Sequence, residues 1–339
     1  MTWTMDGLMA EMDKFRKRAR LEDSDESCEG IPAAESLLVP PPPPDTEPEE
    51  SNEDNADEER PLDILEAYDV GKEYGPLCPT LPGLITRYFA TPGPYDPFQM
   101  AYHRLPKSKR LQRYVQRREK YFTRWDEGVC MTPDGWFSVT AEPLALQVAQ
   151  MLLEGREPLG DKLVVVDAFA GCGGNTIGFA RLEEVGLVIA VERDPCTAEC
   201  LRRNAALYGV LDKVRVAVED AATVLAELPD MFADHIHLSP PWGGPAYSHL
   251  PAIDIEDLPG MARVGPVHRS KAPAISLCLP WNTEPASVDQ WDERDVCTVY
   301  HTIEDKTTLL TVVYAAPDVA PVIRDSVERL GGLPPLETE

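Results

Sequence analysis

From Lys162 onward, short apolar runs recur at regular intervals, and three of them end on acidic residues. Leu163-Val164-Val165-Val166 runs into Asp167, 187–191 runs into Glu192, and 214–218 runs into Glu219-Asp220. The first two are continuously apolar over four and five residues, which suits strands buried on both faces, as in a parallel sheet. Between them lie helix signals. A glycine-rich turn precedes a helix from near Asn175, and Asp194-Pro195 offers an N-cap followed by Pro at the first position. That second helix runs to about Tyr208 and stops at Gly209. Runs at 235–238 and 275–279 give two more strands, and 297–303 with 307–315 reads as a closing hairpin around Glu304-Asp305-Lys306. The expected fold class is α/β: a doubly wound, mostly parallel, Rossmann-like sheet with an antiparallel terminal hairpin.

The remaining chain is organised by charge. Of 339 residues, 1–60 carry 18 Asp/Glu against 6 Lys/Arg and include the tract Pro40–Pro44. They hold too few apolar residues to offset ordering entropy, so a disordered acidic tail is expected there. Within it, Lys14-Phe15-Arg16-Lys17-Arg18-Ala19-Arg20 is a basic cluster compatible with nuclear import. Between Ala101 and Trp125 the balance reverses, with nine Lys/Arg against Glu119 alone, and a single basic helix is expected over 108–124. A net charge of −26 excludes a uniformly basic nucleic-acid binder, but an acidic tail beside a basic stripe fits a protein that handles a polyanion with one face. The expected organisation is a tail at 1–60, an N-terminal extension with the basic helix at 61–140, the main domain at 141–316, and a C-terminal tail at 317–339. Eight scattered cysteines without a C-x-x-C pair predict reduced thiols and no metal site. No apolar run approaches membrane-span length, so a soluble intracellular protein is expected.

Two constellations carry chemistry. Asp167-Ala168-Phe169-Ala170-Gly171-Cys172-Gly173-Gly174-Asn175 places glycines where a ligand must approach the backbone closely. Thr176 stands where a dinucleotide-binding motif needs its third glycine, and Glu192 ends the next strand where a carboxylate can accept ribose hydroxyls. With Asp220 closing the third strand, the set resembles the S-adenosylmethionine site of class I methyltransferases; a dinucleotide oxidoreductase is the alternative. The second constellation is Ser239-Pro240-Pro241-Trp242-Gly243-Gly244-Pro245 at the end of the fourth strand. Consecutive prolines donate no N–H, which leaves carbonyls and the Ser239 hydroxyl to accept from a planar amine, and the following aromatic can stack on its ring. This resembles the [DNS]-P-P-[YFW] motif of enzymes that methylate exocyclic amines.

Gly135-Trp136-Phe137-Ser138-Val139-Thr140, the Asp167 strand end, Gly173 to Ile177, and Ser239 to Pro245 with Tyr247 together resemble the trimethylguanosine synthase family of RNA cap guanine-N2 methyltransferases. The resemblance covers roughly 114–315. It implies S-adenosylmethionine as methyl donor and conversion of a 7-methylguanosine RNA cap, on small nuclear and nucleolar RNAs, to the 2,2,7-trimethyl form. It implies Asp167, Phe169, Gly171, Gly173, Asn175, Glu192, Asp220, Phe137 and Thr140 at the donor, and Ser239, Pro240 and Trp242 in catalysis. Trp242, Tyr247, Arg269 and Lys271 are then the substrate contacts. Nuclear, also nucleolar and cytoplasmic, residence and a monomer contacting small ribonucleoprotein components are expected with it. The sequence departs from the family in having Glu192 for an Asp, Cys130 near a phosphate-binding Lys, and Ala246 for an Asp. Methylation of internal tRNA or rRNA guanine or adenine, or an inactive cap-binding adaptor, are the rival readings.

Overall fold

The computed structural model describes residues 102–106, 109–265, 267–303 and 306–330. The expected acidic tail, the Lys14–Arg20 cluster and most of the 61–101 stretch lie outside the described residues.

The apolar runs form the strands expected of them. In chain order the main elements are α1 (Glu142–Leu153), β1 (Leu163–Asp167), α2 (Gly174–Ala180), β2 (Val185–Val191), α3 (Pro195–Leu207), β3 (Val214–Ala217), α4 (Ala221–Glu227), β4 (His235–Leu238), β5 (Ala274–Pro280), α5 (Pro285–Trp291), β6 (Asp295–Ile303), β7 (Lys306–Ala315) and α6 (Ala320–Leu330). The sheet order is β3-β2-β1-β4-β5-β7-β6. The first five strands run parallel, and β7 pairs antiparallel with both β5 and β6. All five residues of β1 are buried, which is why its sequence shows no alternation.

Alternate strand residues feed two cores, one on each face of the sheet. Leu163 and Val165 of β1 join Val148 of α1, Phe179 of α2, Leu201 of α3 and Ile323 of α6. Val164 and Val166 face the other way, onto Val224 and Leu225 of α4 and Val288 and Trp291 of α5. α3 begins as its sequence predicts, with the Asp194 carboxylate accepting from Thr197 N at 2.7 Å. Two helices pack without side chains between them: a Cβ at Gly178 of α2 would lie 2.8 Å from the Ala145 carbonyl oxygen of α1.

Two expectations are corrected here. The basic stretch is not one helix but separate short turns, Lys109–Leu111, Gln112–Val115 and Arg118–Tyr121, broken where Arg117 leaves helical geometry at φ −113° and ψ 17°. Leu111 and Val115 before the break, and Phe122 and Trp125 after it, all pack into the first core. The stretch read as a C-terminal tail contains α6, whose Ala320 and Ile323 are buried. Among the described residues no helix is long and apolar enough to cross a membrane, and no His/Cys/Asp/Glu group is arranged to hold a metal ion.

Candidate active site

The strand order reverses between β1 and β4, which are direct neighbours with Asp167 level with His237. In an open α/β sheet, the crevice at the carboxyl ends of strands at such a switch point is where ligands bind. Both constellations open into it: the glycine loop leaves β1, and Ser239-Pro240-Pro241-Trp242 leaves β4.

On the β1 side, Gly171 (φ +53°) and Gly173 (φ +98°) hold left-handed backbone, which side-chain-bearing residues adopt at a cost. Gly174 meets a separate limit, since a Cβ there would lie 2.6 Å from the Thr140 carbonyl oxygen. The Glu192 carboxylate ties the loop to β2, accepting from Gly171 N at 3.0 Å and from Asp194 N at 2.8 Å. Burial raises the Glu192 carboxyl above its ordinary value. Asp167 is wholly buried. Its Oδ2 accepts the Thr176 hydroxyl at 2.6 Å, and the backbone N–H groups of Phe169 and Thr176 also favour its ionised form, but no hydrogen bond of good geometry reaches Oδ1. Burial pushes its carboxyl up to about 7, against the opposing effect of the Thr176 bond. Asn175 Oδ1 is likewise buried and without a partner. Unsatisfied buried acceptors each cost free energy, so two of them facing one loop mark a place built for hydrogen-bond donors or positive charge.

Phe169 continues the loop, and Gly260 (φ +90°) approaches it closely: a Cβ at Gly260 would lie 3.2 Å from Phe169 Cε1. Asp220 sits at the same edge but is already engaged. One of its oxygens caps α4 through Ala222 N at 3.0 Å, and the other accepts from Arg263 at 2.9 Å.

On the β4 side, Pro240 is buried and Ser239 half-buried. Trp242 is also half-buried, with its indole N–H donating to the Cys278 carbonyl at 3.3 Å. Tyr247 meets the Trp242 ring edge-on, with centroids 5.1 Å apart and planes at 81°. Asn282, just past β5, fastens this loop by donating to the carbonyls of Tyr247 (3.2 Å) and Leu250 (2.8 Å). The turn Gly135–Ser138, carrying half-buried Phe137, lies against Gly244–His249.

The crevice therefore gathers Asp167, Phe169, Gly171, Gly173, Asn175, Glu192, Ser239, Pro240 and Trp242, flanked by Phe137, Thr140 and Tyr247. It does not gather Arg269 and Lys271. Both precede β5, at the edge where the parallel strands start. Seven residues of β5, at about 3.3 Å each, put them roughly 20 Å from the carboxyl edge. There they hold the scaffold: Arg269 donates to the Trp291 carbonyl at 3.0 Å, and Lys271 to the Leu228 carbonyl at 2.8 Å and to Asp230 at 3.0 Å. Cys130, where the resemblance sought a cation, is fully buried, and burial pushes its thiol up to about 12.

Sequence reasoning missed Thr176, Asn282 and the Cys278 carbonyl. Only Thr176 left a signal, as a hydroxyl one turn into the helix that faces the strand-end carboxylate. Asn282 and Cys278 act through contacts between segments more than thirty residues apart.

Residues 162–314 match the family model described as RNA cap guanine-N2 methyltransferase. The trimethylguanosine synthase of Schizosaccharomyces pombe is 34% identical over 157 residues, covering 45% of this chain and 62% of that protein. That of Saccharomyces cerevisiae is 30% identical over 186 residues, covering 52% and 57%. The chain thus spans about six-tenths of the length of the curated relatives it matches. A solved methyltransferase from Geobacter sulfurreducens is 15% identical with a TM-score of 0.37, covering 62% of this chain and 92% of that one.

Proposed function

We propose, from the match of residues 162–314 to the RNA cap guanine-N2 methyltransferase family model, that the chain methylates N2 of a 7-methylguanosine RNA cap, with S-adenosylmethionine as donor. The observation that carries the reading is the placement of Trp242. It stands half-buried beside Ser239 and Pro240, across the switch-point crevice from the glycine loop. When bound, the donor supplies an electrophilic methyl group on a sulfonium.

The residues of the β1 side fit a cationic donor. Asp167 Oδ1 and Asn175 Oδ1 are acceptors in need of donors, and burial, with the Glu192 charge nearby, pushes the Asp167 carboxyl up to about 7. A positive group beside it favours the ionised form. Glu192 is placed to accept ribose hydroxyls. Phe169, Gly171 and Gly173 shape the cradle, and Phe137 and Thr140 border it. Asp220 joins this set only by giving up its bond to Arg263.

On the β4 side, the Ser239 hydroxyl and the Pro240 carbonyl accept from the exocyclic amine and fix its direction. 7-Methylguanine is a cation, and a Trp face binds a desolvated cation by about 2 kcal/mol more than a neutral ring of the same shape. That difference explains a requirement for prior N7 methylation. Catalysis by this chain is then chiefly positioning: the amine is held in line, and its proton leaves to solvent once nitrogen has attacked. Capped small nuclear and nucleolar RNAs as substrates, small ribonucleoprotein partners, a monomer and nuclear residence belong to the same proposal. The basic run at Lys14–Arg20 supports the last of these.

Incubation with labelled S-adenosylmethionine and either m7GTP or GTP, followed by nucleoside analysis, tests the reading. Label in N2-methylated 7-methylguanosine and none in guanosine is the expected result. Label in GTP, or in internal residues of uncapped RNA, would overturn it.

A further inference from the structure

Beside the acceptor half of the crevice, Arg113 is a cation seated on an aromatic ring and not on a carboxylate. It lies in the turn Gln112–Val115, and its side chain is exposed. Its guanidinium carbon is 4.8 Å from the centroid of the Tyr114 ring, and Nη2 donates to the Tyr114 hydroxyl at 2.9 Å. Two arginines further along are occupied differently. Arg118 donates to the Val115 carbonyl and pairs with Glu119 at 3.2 Å. Arg124 pairs with Glu127 and donates to the Leu207 carbonyl.

Arg113 is joined to the crevice by aromatic residues. The Tyr114 and Phe137 rings lie 6.3 Å apart. The turn Gly135–Ser138, which carries Phe137, touches both Gln112–Val115 and Gly244–His249. Tyr247, from the latter turn, meets Trp242 edge-on. The guanidinium therefore stands at the far end of a wall that starts at the proposed base-stacking residue.

We infer that Arg113, held on Tyr114, binds a phosphate of the capped RNA substrate. With one Nη2 proton on the Tyr114 hydroxyl, the guanidinium still has its Nη1 and Nε protons and a second Nη2 proton, enough to meet two phosphate oxygens. Tyr114 limits the side chain's freedom, so less entropy is lost when a phosphate docks. Three positions where the family resemblance sought a phosphate contact lie elsewhere. Cys130 is an uncharged buried thiol, and Arg269 and Lys271 lie at the opposite edge of the sheet. The inference rests on the guanine-N2 reading for the position of the base, but the phosphate contact is measured separately.

The test compares the full chain with Arg113→Gln and Arg113→Lys on three acceptors: 7-methylguanosine nucleoside, m7GTP and a capped oligoribonucleotide. Removing one charge-assisted hydrogen bond should raise KM about tenfold for the acceptor whose phosphate Arg113 meets, with kcat unchanged. KM for the nucleoside should stay the same, and Arg113→Lys, which keeps the charge but not the fork, should recover only part of the deficit. A rise already present with m7GTP puts the contact in the phosphate chain of the cap. A rise confined to the capped oligonucleotide puts it at a following phosphodiester. In the second case, the salt slope of RNA binding should flatten by about 0.7 in Arg113→Gln. Equal KM ratios for the nucleoside and both phosphate-bearing acceptors would overturn the inference. If the wild type turns over none of the three, the guanine-N2 reading fails instead. Fluorescence anisotropy of labelled capped RNA, wild type against Arg113→Gln, then decides the phosphate contact alone: weaker binding by the variant supports it, and equal binding overturns it.

Discussion

Asp167 should trade stability for donor binding, and Asp167→Asn separates the two. Burial holds its carboxyl at about 7 in the folded chain, against an ordinary value of 3.8. The folded state therefore binds this proton more tightly than the unfolded state. Stability is fully present below the unfolded value and is lost as pH rises towards 7, the reverse of an ion-paired aspartate. A difference of this size is worth on the order of 4 kcal/mol between pH 4 and pH 8. Asn removes the titration but places an amide where Oδ1 has no partner, at a cost of about 1–2 kcal/mol, and weakens the Thr176 bond. Asp167→Asn should therefore be equal or less stable than wild type near pH 4.5 and more stable by about 1–3 kcal/mol at pH 8. Urea denaturation of both proteins from pH 4.5 to 8.5 measures the difference, in which all other titrations cancel. The same variant should lose affinity for S-adenosylmethionine by calorimetry, and wild-type affinity should rise with pH up to about 7 and then level. A stability difference that does not change with pH would refute the reasoning, because Asp167 would then titrate alike in both states.

Trp242→Ala should abolish cap methylation while S-adenosylmethionine affinity stays within about twofold; Trp242→Phe, which keeps the packing, should retain partial turnover because the cation–ring attraction is weaker for Phe. Gly178→Ala should lower stability by about 1–3 kcal/mol, read by thermal unfolding, because its Cβ would press on the Ala145 carbonyl. Lys271→Gln should lower thermal stability, through the lost bonds to the Leu228 carbonyl and to Asp230, and should leave KM for capped RNA unchanged. A large rise in that KM would return Lys271 to the substrate site. Deleting residues 1–60 should leave m7GTP turnover intact, and inactivity with a normal melting profile would show that the acidic segment contributes to catalysis.

The central strands were legible because each is buried on both faces, and a run such as 163–166 has few other ways to hide four apolar side chains. The α1 segment and α6 were harder. α1 is buried nearly all round, so it shows no polar face, and α6 is short enough for its apolar positions to pass as scatter. The basic stretch misled because Leu111, Val115, Phe122 and Trp125 are spaced as one helical face, and that apolar pattern gives no sign of the break at Arg117. Site residues read from a loop at a strand's carboxyl end landed in the crevice. Arg269 and Lys271 did not, although their position before β5 already puts them at the wrong edge of a parallel sheet. Asn282 and the Cys278 carbonyl left no local pattern, since what they do depends on which loops meet.

The contact between Gly174 and the Thr140 carbonyl joins two parts of the site that the sequence keeps more than thirty residues apart. Backbone rests on backbone there, with no rotamer to absorb a displacement. A shift of the glycine loop there must move the Thr140 carbonyl, and Phe137 stands three residues away on the wall that runs through Tyr247 to Trp242. If donor binding displaces this seam, the two half-sites are thermodynamically linked. Whatever factor the donor contributes to acceptor affinity, the acceptor must return to the donor. A cushion at this seam, rather than a change in either pocket, is what would set the two equilibria free of each other.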